Sequence, residues 1–116
     1  MRSQRNASLR RIEGPIYPIL SAFKEDGALD CDAVAKYVDM LASVGVPAVM
    51  TTVGTSRFNL LTDDEIRKMN ETVARAAKGR CFVILAGPQQ GSTKLNAAFA
   101  RHAEDVGADA FIGFYP

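Results

Sequence analysis

The chain has 116 residues, a formal net charge of +1 at pH 7 and a hydrophobic content of 47%. This length allows one small domain or part of a larger one, and the hydrophobic content argues against disorder. The near-neutral charge predicts no partner among nucleic acids or acidic membranes, and no apolar run approaches the roughly 20 residues that span a bilayer. Cys31 and Cys81 lack metal-ligand spacing. We therefore expect a cytoplasmic globular chain without metal or cofactor.

The first residues differ in composition from the rest. Residues 1–11 contain four arginines and no acidic residue, and they lack the apolar stretch of a secretory signal. We expect residues 1–12 to form a flexible basic lead-in and residues 13–116 to form the folded part.

The first half of the folded part predicts a strand, a helix and a second strand. Residues 16–23 are apolar, and Pro18 makes this first strand irregular. Asp30 can cap a helix by accepting a bond from a free backbone N–H, and Gly45 can end that helix in a left-handed conformation. Residues 46–52 then predict the second strand.

A loop over residues 53–61 leads to a second helix. Thr62 and Glu65 have the spacing of a capping box, in which each side chain bonds the other residue's backbone N–H. Gly79 ends the helix. The third predicted strand, like the second, therefore follows a glycine that ends a helix.

The remaining residues repeat this pattern. Residues 81–86 are nearly all apolar, which is typical of a strand covered on both faces in a parallel sheet. Ser92 or Thr93 caps a third helix, which Gly107 ends, and the apolar segment after Gly107 predicts a fourth strand.

The order of elements is βαβαβαβ, which predicts an α/β fold with a parallel sheet and right-handed crossovers. Two architectures fit this order: a four-stranded open sheet and half of a (β/α)8 barrel. A complete barrel typically needs about 250 residues, so this chain could form about half of one.

In both architectures the functional residues lie in loops after the carboxyl ends of the strands. The loop over residues 51–57 is the richest in chemistry. Gly54 is predicted to let the backbone turn tightly, while Thr55 and Ser56 offer hydroxyls and consecutive amide N–H groups. Such a cluster can bind a carboxylate or phosphate, although an ordinary Thr/Ser-rich turn is the alternative.

Five short segments resemble, in their order along the chain, motifs of one enzyme family, and the family motif follows each in parentheses: Ser21-Ala22-Phe23 (Thr-Pro-Phe), Gly54-Thr55-Ser56 (the start of Gly-Thr-Thr-Gly-Glu), Leu61-Thr62-Asp63-Asp64-Glu65 (Leu-Thr-x-x-Glu) and Val83-Ile84-Leu85-Ala86-Gly87 (Val-Ile-Ala-Gly). The fifth segment, Gly107-Ala108-Asp109-Ala110, is identical to its family motif. From Gly14 to Pro116 the chain resembles the amino-terminal portion of the dihydrodipicolinate synthase / N-acetylneuraminate lyase family, which comprises class I, pyruvate-dependent aldolases.

The resemblance implies a (β/α)8 barrel, of which this chain would supply about the first four strands and three helices. It also implies a lyase or aldolase that forms a Schiff base with pyruvate or a related 2-oxo acid. Thr55 would be the proton-relay hydroxyl, and Gly54, Thr55 and Ser56 would bind the substrate. The loop departs from the family pattern because Arg57 alone replaces Gly-Glu. Arg57 is therefore a further candidate for binding an acidic substrate in a divergent subfamily.

The resemblance assigns the Schiff-base lysine to the sixth strand, beyond Pro116. The lysines of the chain fall in predicted helices and turns: Lys24, Lys36, Lys68, Lys78 and Lys94. We therefore expect the chain alone to be inactive and to associate, as a homo-oligomer or through exposed sheet edges. The alternatives are a non-catalytic half-barrel remnant or interaction module, and a small anion-binding α/β domain.

Overall fold

The computed structural model describes residues 14–113. The expectations for the lead-in and for the chain after Gly113 lie outside the described residues. Strands and helices alternate in the predicted order: β1 (Ile16–Pro18), α1 (Cys31–Ser43), β2 (Ala48–Met50), α2 (Asp63–Ala77), β3 (Phe82–Ala86), α3 (Thr93–Asp105) and β4 (Ala110–Ile112). A short 3-10 helix, Phe58–Leu60, lies between β2 and α2.

The four strands form one sheet in the order β1-β2-β3-β4, and every neighbouring pair is parallel. Pro18, Met50, Ile84 and Ala110 occupy one row across the sheet. Because all strands run the same way, their carboxyl ends meet at one edge. The predicted parallel sheet is confirmed.

The first strand is shorter than the predicted span of residues 16–23. The ladder continues only as far as Ile19, whose N–H donates to the Met50 carbonyl oxygen at 2.8 Å. The chain then turns back on itself, and the Asp30 N–H donates to the Ala22 carbonyl oxygen at 2.8 Å. Local pairing with the segment before α1 therefore ends the strand early.

Side-chain caps begin the three helices where the sequence predicts them. The Asp30 carboxylate accepts a bond from a first-turn N–H of α1. Thr62 and Glu65 form both bonds of the capping box, at 3.2 and 3.0 Å. Ser92 caps α3, and Thr93 is the first helical residue. The glycines predicted to end the helices all have positive φ: Gly45, Gly79 and Gly107.

The helices cover one face of the sheet. Alternate strand residues point to opposite faces, and those on the covered side join the helices in the main core: Ile19, Val49, Val83 and Leu85 from the sheet side, with Val34, Val38, Leu41, Ile66, Met69, Val73 and Phe99 from the helices. The opposite face carries a small separate cluster of buried Ala48, Phe82 and Ile84, with the partly buried Met50, Ala110 and Ile112.

None of the helices within residues 14–113 combines the length and the apolar character needed to cross a membrane.

Candidate functional site

The loop after β2 folds around Thr52. The Thr52 carbonyl oxygen accepts from the Ser56 N–H at 3.1 Å, and its hydroxyl accepts from the Thr55 N–H at 3.0 Å. The Arg57 N–H donates to the Gly54 carbonyl oxygen at 3.1 Å. The two consecutive amides that the sequence offers for anion binding, those of Thr55 and Ser56, thus both donate hydrogen bonds within the loop.

Ser56 connects this loop to the chain that follows β1. Its side chain is fully buried, and its hydroxyl donates to the Ile19 carbonyl oxygen at 2.5 Å while accepting from the Thr52 N–H at 3.0 Å. The Ser56 carbonyl oxygen also accepts from the Ser21 hydroxyl. Ser56 therefore holds the loop in place, and its own N–H and O–H donors are used inside the protein.

Thr55 differs from Ser56 in this respect. It lies exposed on the loop, and its hydroxyl forms no hydrogen bond with any residue between 14 and 113. A hydroxyl can both donate and accept a proton. Thr55 is thus the group of the predicted triplet that is free to bind a ligand or relay a proton.

Gly54 lies within the turn over residues 53–57, where it has no positive φ and where a Cβ would have open space. The left-handed residue is Arg57, with φ of 60°, immediately before the 3-10 helix. The Arg57 side chain is exposed and forms no ion pair with the described residues.

A buried polar network lies under the carboxyl ends of β2 and β3, and sequence reasoning missed it. The Thr51 hydroxyl donates to Asn70 Oδ1 at 2.8 Å and accepts from the Ala86 N–H at 2.9 Å. Asn70 Nδ2 donates to the Ala86 carbonyl oxygen at 2.8 Å. The signal was present in the sequence, because Asn70 follows Ile66 by four residues on the apolar face of α2.

No lysine of the chain has the environment of a Schiff-base nucleophile. All lysines lie within the described residues and all are exposed: Lys24, Lys36, Lys68, Lys78 and Lys94. A Schiff-base lysine instead needs a dry or cationic environment. Cys81 is a poor nucleophile too, because burial raises the pKa of its thiol despite the opposing charge of Arg80.

A groove of about 470 Å³ lies between α1 and α2. Its lining comes only from these two helices and includes side chains of both charges. Two of them, Arg75 and Glu71, form an ion pair with each other. In residues 14–113 no cluster of His, Cys, Asp or Glu is arranged to hold a metal ion. The loop carrying Thr55 therefore remains the candidate site.

Comparison with known proteins agrees with the fold. The model of the dihydrodipicolinate synthetase family matches residues 11–116. A probable 5-dehydro-4-deoxyglucarate dehydratase of Streptomyces griseus is 34% identical over 110 residues, covering 95% of this chain and 34% of the relative. The chain thus spans about a third of the length of the curated relatives it matches.

Solved structures of this family are similar to the chain in fold. N-acetylneuraminate lyase from Mycoplasma synoviae is 25% identical with a TM-score of 0.78, over 93% of this chain and 38% of that one. YagE, a prophage protein of the dihydrodipicolinic acid synthase family from E. coli K12, was solved in complex with pyruvate. It is 24% identical with a TM-score of 0.72, over 84% of this chain and 33% of that one. The chain therefore belongs to the dihydrodipicolinate synthetase family of lyases, and its four strands and three helices correspond to the amino-terminal part of that family's (β/α)8 barrel.

Proposed function

We propose that this chain supplies the amino-terminal share of a lyase or aldolase site that acts on pyruvate or a related 2-oxo acid through a Schiff base. The observation that carries the proposal is the exposed, unbonded hydroxyl of Thr55 at the carboxyl edge of the sheet. Active sites of (β/α)8 barrels lie at this edge. The pyruvate complex of the structural neighbour YagE supports the substrate class.

Thr55 is the catalytic hydroxyl in this proposal. An enamine formed from a 2-oxo acid must gain and lose protons, and a hydroxyl that both donates and accepts can pass them on. Gly54 and Ser56 form the substrate-binding loop around it. Ser56 contributes by fixing the loop, because its donors already bond Ile19 and Thr52. Arg57 places a positive charge next to the loop, which suits a carboxylate substrate.

The proposal assigns the Schiff-base lysine to sequence other than these 116 residues. A lysine that attacks a ketone must be unprotonated, which requires a dry or cationic environment. The five lysines of this chain are exposed, and the chain spans about a third of the length of its relatives. The chain alone is therefore inactive in this chemistry.

Association with further polypeptide belongs to the same proposal. The edge strand β1 exposes Ile16 and Tyr17, each at 37%, and Leu20 just after it is 57% exposed. Open strand edges and apolar surface favour association, either as a homo-oligomer or with the rest of a barrel. Both cysteines are unpaired, which supports a cytoplasmic location.

Titration of the ¹⁵N-labelled chain with pyruvate, followed by amide NMR, tests the role of the loop. We expect shifts centred on Thr55 that disappear in Thr55→Val and persist in Thr93→Val, a matched change at another exposed threonine. Phosphate and acetate serve as comparison anions. Equal shifts with these anions would favour a plain anion site, and the absence of shifts in the Thr55 loop with pyruvate would contradict the proposal.

A further inference from the structure

We infer that Asn70 is a positioning residue for the Thr55 loop. It acts through Thr51, at the point where β2 leaves the sheet. The inference deepens the proposed function and rests on it for its relevance to catalysis, whereas the mechanical link itself can be tested separately.

The contacts of Asn70 connect three elements at one point. From the middle of α2, its amide bonds Thr51 after β2 and Ala86 at the end of β3. Thr51 closes the triangle by accepting from the Ala86 N–H at 2.9 Å. Helix α2 thereby fixes the spacing between the carboxyl ends of two neighbouring strands.

The residue type at this position needs an explanation beyond packing. Asn70 is fully buried, as are Met69 and Val73 on the same helix face. An apolar side chain at this position would continue that face without the cost of removing a polar amide from water. Asn is also a weaker helix former than Leu or Met. A buried amide is tolerated because its polar groups are bonded. Here those bonds go to the strand ends and to no other part of α2.

The link from Asn70 continues into the candidate site. Thr51 is followed directly by Thr52, whose backbone and hydroxyl hold the amides of Thr55 and Ser56. Ala86 is followed directly by Gly87, where the next loop begins. A side chain that touches no substrate therefore sets where Thr55 stands relative to the neighbouring loop.

Amide hydrogen exchange of the full 116-residue chain tests this link without any ligand. The Ser56 amide reports on the loop, and the Val38 amide, in the buried face of α1, reports on global unfolding. In Asn70→Leu we expect Ser56 exchange to rise about tenfold more than Val38 exchange, the factor that corresponds to losing a buried hydrogen bond. Thr51→Val removes the same bond from the other end with little change in shape, and should act alike.

Val73→Ala is the matched control, because Val73 is equally buried in α2 but carries no polar group. In this variant the exchange rate of the Ser56 amide should rise no more than that of the Val38 amide. Equal gains for Ser56 and Val38 in both Asn70→Leu and Thr51→Val would overturn the inference and leave Asn70 a plain core residue. Pyruvate titration of the unsubstituted chain tests the proposed function independently, since the exchange result does not depend on pyruvate binding.

Discussion

The Thr51 hydroxyl donates to the Asn70 amide oxygen across 2.8 Å, in a position where both side chains are fully buried. This bond joins the residue after β2 to the middle of α2. Each group also bonds Ala86, so the loss of one partner leaves buried polar atoms unsatisfied. Such losses are usually larger than the net contribution of a hydrogen bond itself.

A double-mutant cycle measures this coupling. We expect Thr51→Val and Asn70→Leu each to lower the free energy of unfolding by about 1–3 kcal/mol. The loss in the double variant should be about 1 kcal/mol smaller than the sum of the two single losses, because each single variant already removes the bond that the two side chains share. Urea unfolding of the four proteins provides the values. Strictly additive losses would show that the two side chains act independently.

The left-handed backbone of Arg57 gives a prediction with the opposite sign. A non-glycine residue in this conformation costs roughly 1–2 kcal/mol, part of which is offset by the greater freedom of glycine in the unfolded chain. Arg57→Gly should therefore raise the free energy of unfolding by up to about 1 kcal/mol. The matched change Gly54→Ala should be close to neutral because Gly54 has open space and no positive φ. Destabilisation by Arg57→Gly would mean that the guanidinium group stabilises the fold.

Cys81 makes stability depend on pH in the alkaline range. Burial raises the pKa of its thiol above the ordinary value of 9.0. As pH rises past 9.0, the unfolded chain releases this proton while the folded chain still holds it. The free energy of unfolding must then fall with rising pH. At pH values below the pKa of the thiol in the unfolded chain, this effect is absent.

The measurement compares urea unfolding under reducing conditions at about pH 8 and about pH 10. Cys81→Ala is the control, since it removes the thiol and should show a smaller loss between the two pH values. An equal loss in both proteins would assign the alkaline sensitivity to other groups.

Patterns that act locally were readable from the sequence. The capping box of Thr62 and Glu65 and the left-handed Gly107 depend on neighbouring residues, so the helix boundaries could be predicted. The early end of β1 could not, because it depends on Asp30 pairing back with Ala22. This pairing is between backbone groups, so residue types and apolar spacing do not encode it.

The candidate site was predictable in position but less so in detail. Its place follows from the parallel sheet, whose strand ends share one edge. The division of roles between Thr55 and Ser56 depends on the Ser56 hydroxyl reaching Ile19, 37 positions away. The Asn70 network depends likewise on the crossing of α2 over two strands. The spacing of Asn70 places it on the apolar face of α2, but it does not identify Thr51 and Ala86 as its partners.

Borohydride reduction in the presence of pyruvate tests whether any lysine of this chain forms a Schiff base. A Schiff base between pyruvate and any lysine would be reduced to a stable secondary amine and would increase the intact mass of the chain. We expect the mass of the chain to stay at 12.5 kDa, because all five lysines are exposed to solvent. A pyruvate-dependent covalent adduct mapped to one of those lysines would contradict this expectation.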